Sequence, residues 1–454
     1  MSGRVILASN RLPITITDDN GKLTAQRSIG GVATALDAIF QSNDSLWVGW
    51  IGVRRELDEE ELQGLELPES LVPVQASDEL VRGYYDHFSN QVLWPSMHGF
   101  WPRRAPSTWD WEALNEIARR FAEAIKKVAK PEDIIWVHDY HLVMLPAALR
   151  DAGLDNQIGF FLHTPFASPE HMRSIPHHRE ILLSLCDVDQ FGVQTEREVG
   201  QMRKVLDELG IGSEPGVIKA FPIGIDYDLY SQEARRPALQ KRLQKVRQEK
   251  GSQRTILSVS RLDYTKGIIT QLHGVAEFLA SQPEPQHYRY KLVVAPSRED
   301  VTEYRELKHA INRTVKAIND SLGTREWQPI DYHYNALGLL DMRAWYMATD
   351  ILLAVPVIDG MNLIVKEFIA ARHDDDGLLV MSTEMGAAAQ LTAALQVEPE
   401  NPAAIATALR QAVAMEPEER AKRWRELREN VRTEDVYRWA DDFVSSLQRV
   451  TIGV

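Results

Sequence analysis

Residues 351–367 read ILLAVPVIDGMNLIVKE, an apolar strand-like run followed by a glycine-containing loop and the start of an apolar-periodic helix. A continuous apolar run predicts a strand buried on both faces. A helix start offers unpaired N–H groups and a partial positive charge, so an anionic diphosphate can bind there. Asp359 and Glu367 would repel phosphate but could accept hydrogen bonds from sugar hydroxyls. The segment therefore indicates a ligand that carries both sugar and phosphate, such as a nucleotide sugar.

Strand-like runs of this kind recur along the chain and alternate with helical patterns, as in the apolar stripe of residues 114–128. This alternation predicts an α/β fold with parallel sheets and helices on both sides. The predicted strands are Val5–Ala8, Ile134–Val137, Ile158–Leu162, Ile256–Val259, Leu292–Val294, Ile351–Val355 and Leu378–Met381.

The strand and helix pattern pauses near residues 221–226, and a second strand series begins near Thr255. We therefore expect one domain over residues 1–222 and another over 223–435. The last segment, 436–454, carries its own apolar stripe, which must cover an apolar surface. That stripe consists of Val436, Trp439, Phe443 and Leu447.

Bulk properties limit the possible partners. The formal charge of -14 over 454 residues disfavours nucleic acid or an anionic membrane as the main partner, because both need a broad positive field. The single cysteine, Cys186, is typical of a reducing compartment, which favours the cytoplasm. No run approaches the roughly 18 apolar residues of a membrane span. The sequence leaves open whether the chain forms a homo-oligomer.

Two further loops follow predicted strands. Arg261 and Lys266 lie after the strand at residues 256–259, at the sheet edge where ligands bind in open α/β folds. They suit a diphosphate whose charge grows as its bond breaks, although two surface cations near a turn would look similar. Arg11 follows the first strand, and Gly30-Gly31 would let backbone approach a ligand closely or would simply form a loop.

Aromatic and histidine-rich segments complete the candidates. Residues 84–94 are rich in tyrosine and tryptophan, which are usually core residues but can also stack on sugar rings. The segment His138-Asp139-Tyr140-His141 contains possible metal ligands. Alternate side chains there should face opposite ways, and no further histidine or cysteine completes a site. We therefore expect no metal.

These motifs resemble those of the trehalose-6-phosphate synthases, which are retaining glycosyltransferases with a motif close to Arg-Asp-Gly-Met-Asn-Leu-Val-x-Lys-Glu. The resemblance runs from about Val5 to the tail, but Ile358 replaces the usual arginine. It implies two Rossmann-like domains facing across a cleft (the GT-B fold), with the last helix crossing back to the first domain. The first domain would bind the acceptor, and the second the nucleotide sugar.

The resemblance also assigns roles to residues. The catalytic set would be Arg261, Lys266, Asp359 and His163. Donor-binding residues would be Gly30, Gly31, Gly360, Met361, Asn362, Leu363, Ile364 and Glu367. Acceptor-binding residues would be Arg11, Trp50, Tyr85, Trp94, Asp139, Tyr140 and Arg298.

The activity implied is transfer of glucose from UDP-glucose to glucose 6-phosphate with retention, without a metal or cofactor. Attack would occur on the face from which UDP leaves, with the leaving phosphate taking the acceptor's proton. A related synthase that uses glycerol 3-phosphate, or a non-catalytic sugar-phosphate sensor, is the alternative. The sequence does not distinguish UDP from ADP or GDP as the donor nucleotide.

Overall fold

A computed structural model of the chain describes residues 4–19, 22–27, 36–37, 40, 45–299 and 301–452. The chain divides into two compact units. The N-terminal unit comprises residues 1–223 together with 436–454, and the C-terminal unit comprises residues 224–435. Each unit contains its own parallel sheet, so the predicted α/β class is confirmed.

The sheet of the N-terminal unit has seven parallel strands in the order β5-β4-β1-β6-β7-β8-β9. Its strands are β1 (Val5–Arg11), β4 (Leu46–Trp50), β5 (Leu71–Val74), β6 (Ile134–His138), β7 (Gln157–Phe161), β8 (Gln190–Val193) and β9 (Val217–Ala220). An antiparallel hairpin of β2 (Ile14–Asp19) and β3 (Lys22–Arg27) extends from the end of β1. The candidate residues Arg11 and Trp50 stand at the carboxyl ends of β1 and β4.

The helices of this unit lie between its strands. They are α1 (Glu59–Gly64), α2 (Asp78–Val81), a π-helical segment (Arg82–Leu93), α3 (Trp94–Met97), α4 (Thr108–Val128), α5 (Leu145–Asp151), α6 (Pro169–Arg173), α7 (His178–Cys186) and α8 (Glu196–Glu208). Helix α4 begins with a capping box between Ser107 and Asp110, and it buries its predicted apolar stripe from Leu114 to Ile125.

The C-terminal unit contains six parallel strands in the order β12-β11-β10-β13-β14-β15. They are β10 (Arg254–Arg261), β11 (Tyr288–Ala295), β12 (Ile330–His333), β13 (Ile351–Ala354), β14 (Leu378–Ser382) and β15 (Leu395–Val397). Its helices are α9 (Tyr227–Glu233), α10 (Pro237–Lys250), α11 (Ile268–Ala280), α12 (Thr302–Leu322), α13 (Leu339–Ala348), α14 (Leu363–Ala371), α15 (Pro402–Ala414) and α16 (Pro417–Thr433).

The final helix, α17 (Val436–Ile452), packs on the sheet of the N-terminal unit, as the resemblance implied. Its Phe443 ring stacks on Trp136 at a centroid distance of 4.4 Å. Gly159 and Gly192 make room for that ring, since a β-carbon at either would lie 2.6 Å from it. The helix therefore fits a groove created by two glycines in neighbouring strands.

Within the described part of the chain, no helix is both long enough and apolar enough to cross a membrane.

The fit of α17 predicts that Gly192→Ala lowers the free energy of unfolding by about 1–3 kcal/mol, because the added methyl group overpacks the Phe443 contact. Gly200→Ala is the matched control. Gly200 is an exposed position of helix α8 with open space around it, so the same change should raise stability by up to about 1 kcal/mol. Urea unfolding measures both, and equal effects would contradict the proposed fit.

Candidate functional site

The loop after β13, residues 355–362, packs directly against the loop after β10 in the C-terminal unit. Gly267 has a φ of 63°, and a β-carbon there would lie 2.6 Å from the carbonyl oxygen of Val355. The Gln271 side chain donates to that same oxygen at 3.2 Å and to the Lys266 carbonyl at 2.7 Å. The Val357 amide donates to the Thr265 carbonyl at 2.7 Å. The two loops therefore form one backbone assembly at the carboxyl end of the sheet.

The loop 355–362 is also held from its other side. The Gly386 amide donates to the Gly360 carbonyl at 3.0 Å, and a β-carbon at Gly386 would lie 2.1 Å from that oxygen. The Ala387 amide donates to the Met361 carbonyl, and the Asp359 amide to the Glu384 carbonyl. These contacts fix the backbone that leads into α14.

The Asp359 carboxylate is the centre of this assembly. It accepts hydrogen bonds from Lys266 Nζ at 2.7 Å and Asn362 Nδ2 at 3.1 Å, and its other oxygen accepts from the Gly360 amide at 3.1 Å. Both side chains of the ion pair are largely buried, with 13% of Lys266 and 16% of Asp359 exposed. Lys266 and Asp359 thus form a buried ion pair within one unit.

The start of α14 is available to an anion. Asn362 precedes the helix in a left-handed conformation, with a φ of 70°, and its side chain does not cap the first turn. Its Oδ1 atom is buried and has no hydrogen-bond partner among the described residues. Leu363 and Ile364 form the first turn, whose N–H groups carry the partial positive charge of the helix. Ile358, in place of the family's arginine, is half-buried nearby in the chain.

Glu367 lies one turn further along α14 and is engaged by neighbouring side chains. Tyr346 donates its hydroxyl hydrogen to Glu367 Oε2 at 3.1 Å, and Tyr230 also bonds this carboxyl group. Burial raises the pKa of Glu367 above its usual value, although the two tyrosines and Arg343 act against the increase. This carboxyl group is thus oriented before any ligand binds.

A second carboxylate, which the sequence analysis did not single out, lies in the loop after β10. The side chain of Asp263 is 1% exposed and accepts hydrogen bonds from the Thr265 amide at 3.0 Å and the Tyr304 hydroxyl at 3.1 Å. Burial opposes its charge, but Arg298, Lys266 and Arg261 together hold the pKa of Asp263 below its usual value. Three residues predicted to bind substrate phosphates therefore act electrostatically on one buried carboxylate.

In the N-terminal unit, Arg11 lies over two aromatic rings. Its guanidinium is 4.7 Å from the Trp50 ring centroid and 5.7 Å from that of Tyr85. Tyr85 stacks on His141 at 5.5 Å, which brings the end of β6 into the same group. Cation–π contacts of this kind orient an arginine while leaving it charged.

Tyr140 and Trp94 extend this aromatic group. Their ring centroids lie 5.6 Å apart, and the Tyr140 hydroxyl donates to Asn90 Oδ1 at 3.3 Å. Both rings are largely buried, with 2% and 7% exposure. Tyr140 and Trp94 therefore belong to the buried core and also border the aromatic group that contacts Arg11.

Asp139 and His163 form a separate contact between the ends of β6 and β7. Asp139 has a positive φ of 75°, and its Oδ1 atom accepts a hydrogen bond from the His163 amide at 3.2 Å. His163 Nε2 lies 3.2 Å from His138 Nδ1. Burial lowers the pKa of His163 to about 3, so its imidazole is neutral at physiological pH.

Gly30 and Gly31 lie outside the described residues. Arg11 and Arg298 belong to different units, and their joint action on one phosphate stays a prediction. Across the described ranges, no group of three or more His, Cys, Asp or Glu side chains is arranged to hold a metal ion.

Comparison with known proteins places these residues in context. Residues 3–449 match the model of glycosyltransferase family 20. The chain is 36% identical to a bifunctional trehalose-6-phosphate synthase/phosphatase of Thermoproteus tenax, with 98% of this chain and 63% of that protein aligned. The chain thus spans less than two thirds of that relative's length.

Two solved structures are similar to it over nearly their full length. One is described as trehalose-6-phosphate from E. coli bound with UDP-2-fluoro glucose, at 29% identity and a TM-score of 0.87, covering 98% of this chain and 99% of the other. The second is an α,α-trehalose-phosphate synthase (UDP-forming) from Burkholderia xenovorans in complex with glucose-6-phosphate. It is 28% identical at a TM-score of 0.88, covering 98% of this chain and all of the other.

The motif residue Lys366 allows a test of the buried charge on α14. Its side chain is fully buried and donates to Gln390 at 2.7 Å. Burial lowers the pKa of Lys366 from 10.5 to about 7, although Glu434 acts in the opposite direction. Between pH 7 and 10.5 the unfolded chain therefore binds more protons at this lysine than the folded chain, so stability should rise with pH.

We expect the free energy of unfolding of the wild type, relative to Lys366→Met, to rise between pH 7 and pH 10 by at most about 1.4 kcal/mol per pH unit. Urea titrations at several pH values measure this difference. The exposed Lys241 gives the control, since Lys241→Met should follow the wild-type pH profile. Parallel profiles for wild type and Lys366→Met would contradict the depressed pKa.

Proposed function

Because the chain belongs to glycosyltransferase family 20, we propose that it is an α,α-trehalose-phosphate synthase. It transfers glucose from UDP-glucose to glucose 6-phosphate with retention of configuration and releases UDP and trehalose 6-phosphate. The relatives' names support this reaction. The observation that carries it in this chain is the Lys266–Asp359 ion pair beside the start of α14.

The donor diphosphate would bind at this helix start. Leu363 and Ile364 supply backbone N–H groups, and Lys266 with Arg261 supplies positive charge. When phosphate arrives, Lys266 can exchange its carboxylate partner for a phosphate oxygen. Asp359 is then released to accept hydrogen bonds from the glucosyl hydroxyls. Binding of the diphosphate and recognition of the sugar are thus linked through one ion pair.

Other donor contacts follow from the same backbone. Gly360 to Asn362 would lie along the glucosyl unit, and the unpartnered Oδ1 of Asn362 supports a polar ligand there. Glu367, already oriented by Tyr346, would accept hydrogen bonds from the ribose diol. Gly30 and Gly31 are assigned to the donor on the resemblance alone.

Glucose 6-phosphate would bind through Arg11 and Arg298 at its phosphate, with the aromatic residues beside its ring. Trp50 and Tyr85 hold Arg11 in place, which supports a guanidinium already positioned to bind the phosphate. Trp94, Tyr140 and Asp139 complete the proposed acceptor set. Retention would follow from same-face attack, with the leaving phosphate accepting the proton of the acceptor hydroxyl.

We also propose a cytoplasmic location. Burial, together with Asp187 and Glu214, raises the pKa of the single thiol of Cys186 to about 11. The thiol is therefore protonated and poorly reactive at neutral pH, in keeping with a reduced state.

The proposed reaction predicts which substrates release nucleoside diphosphate. UDP-, ADP- and GDP-glucose are each incubated with glucose 6-phosphate, with glycerol 3-phosphate, or without an acceptor, and diphosphate release is measured by a coupled assay. We expect fast release from UDP-glucose with glucose 6-phosphate and little without it. Release only with glycerol 3-phosphate would overturn the acceptor assignment, and no release under any condition would favour a sensor.

The role of Arg261 is tested by Arg261→Ala, which should lower kcat at least about 100-fold because charge stabilisation on the leaving diphosphate is lost. Arg261 is exposed, so folding should be nearly unaffected. Arg325→Ala changes another exposed arginine of the same unit, in the loop before β12, and should retain wild-type rates. A near-normal kcat for Arg261→Ala would remove this arginine from the mechanism.

A further inference from the structure

The hydroxyl group of Tyr304 bridges two charged side chains of the C-terminal unit. Tyr304 lies in the first turn of α12 and is 2% exposed. Its oxygen accepts a hydrogen bond from Arg298 Nη1 at 2.5 Å, and its hydrogen is donated to Asp263 Oδ2 at 3.1 Å. Arg298 Nη1 is 3.6 Å from the same carboxylate oxygen. The three groups therefore form a compact triangle with the hydroxyl at one corner.

Arg298 needs such support because its backbone is unfavourable for an L residue. Its φ of 49° lies in the left-handed region, which bulky side chains adopt at a cost. The Val301 amide donates to the Arg298 carbonyl and closes the turn. The side chain is only 14% exposed, and its guanidinium lies 5.5 Å from the Tyr304 ring centroid. Tyr304 thus contacts this arginine through both its ring and its hydroxyl.

Asp263 connects this triangle to the donor loop. It precedes the turn Tyr264–Lys266 and accepts a hydrogen bond from the Thr265 amide at 3.0 Å. Lys266, three residues after Asp263, forms the ion pair with Asp359. A shift of Asp263 would therefore move the backbone that carries Lys266.

We propose that Tyr304 is a positioning residue that sets the orientation of Arg298 toward the acceptor's phosphate, and that Asp263 joins Arg298 to the donor diphosphate loop. This inference rests on the proposed function, because it takes the phosphate of the sugar acceptor as the ligand of Arg298. The hydroxyl holds the guanidinium at a set distance from Asp263. Without it, the guanidinium is free to move closer than 3.6 Å to the carboxylate and away from the substrate.

The test is Tyr304→Phe, which keeps the buried ring and removes only the bridging hydroxyl. We expect the KM for glucose 6-phosphate to rise about ten-fold, because a hydrogen bond to a charged group is lost. The KM for UDP-glucose should change less than about two-fold. Steady-state rates with each substrate varied in turn give both constants.

The matched control is Tyr332→Phe in the same unit. Tyr332 lies on β12 and its buried hydroxyl makes no hydrogen bond within the described residues, so neither KM should change. A general effect of removing a buried tyrosine hydroxyl would appear in both variants. An effect confined to Tyr304→Phe would support the bridge.

A double-mutant cycle separates positioning from a merely structural role. If Tyr304 acts through Arg298, Tyr304→Phe adds little to the KM for glucose 6-phosphate in an Arg298→Ala background. An equal rise in that background, or an equal rise in both KM values, would overturn the proposal. Should Tyr304→Phe unfold, Asp263→Asn serves instead and is expected to raise both KM values, whereas unchanged constants would refute the link.

Failure of this inference is distinguishable from failure of the proposed function. If the wild-type protein shows no transfer to glucose 6-phosphate, the proposed function fails before any variant is made. If the wild type transfers normally and Tyr304→Phe has the wild-type KM, only the positioning role fails.

Discussion

The candidate donor site depends on close backbone contact on both sides of the loop 355–362. Gly267 and Gly386 permit this contact, because a β-carbon at either position would meet a carbonyl oxygen at 2.6 Å or 2.1 Å. Such distances are far below a van der Waals contact, so a side chain would force the loops apart. The start of α14 and the loop that carries Lys266 can therefore lie side by side, since residues 267 and 386 are glycines. Lys266 reaches Asp359 as a consequence of that spacing.

Several charged side chains near this contact are largely buried. Asp263 is buried, yet it remains charged because Arg298, Lys266 and Arg261 offset the desolvation of its carboxylate. Cations fixed in this way need little reorganisation when a diphosphate binds or leaves. Loss of all three cations would leave the carboxylate buried without a counter-charge, which costs more than the group contributes as a whole. The arrangement is thus better understood as a prepared electrostatic site than as a source of stability.

The sequence predicted the strands that are continuous and apolar, and each of the seven proposed runs overlaps an observed strand. It missed strands with other character. Leu46–Trp50 contains a glycine and two tryptophans, whereas Val217–Ala220 carries an exposed lysine. Leu395–Val397 is only three residues long. A continuous run of aliphatic residues indicates burial on both faces. Leu46–Trp50 is buried but lacks such a run, Val217–Ala220 is partly exposed, and Leu395–Val397 is short.

The residues of the candidate site also divide into those that the sequence could predict and those that it could not. The position of Lys266 and Asp359 at one edge of the sheet could be predicted, because the carboxyl ends of parallel strands share that edge. The contributions of Tyr304 and Gly386 could not, because each depends on contacts between segments distant in sequence. A tyrosine in the first turn of an amphipathic helix looks like an ordinary core residue. Asp263 lies within the cationic loop motif, but its burial is visible only in three dimensions.

The return of the last helix bears on the chemistry of the N-terminal unit as well as on its packing. Trp439 of α17 lies 6.1 Å from the His163 ring and 6.3 Å from that of His138, and it helps to bury both. Burial lowers the pKa of each histidine, and the proximity of His163 lowers that of His138 further. Two neutral imidazoles 3.2 Å apart can share a single hydrogen bond, with one donating and the other accepting.

A neutral, buried His163 is suited to hold a sugar hydroxyl and unsuited to collect a proton. Its backbone amide is already fixed by Asp139, whose positive φ places the carboxylate above the end of β7. In the proposed transfer, the proton of the attacking hydroxyl therefore needs another acceptor. The leaving phosphate is the group whose negative charge grows as the glycosidic bond breaks. Packing of α17 thus favours the phosphate over the histidine as the base, because it keeps the imidazole in a dry environment.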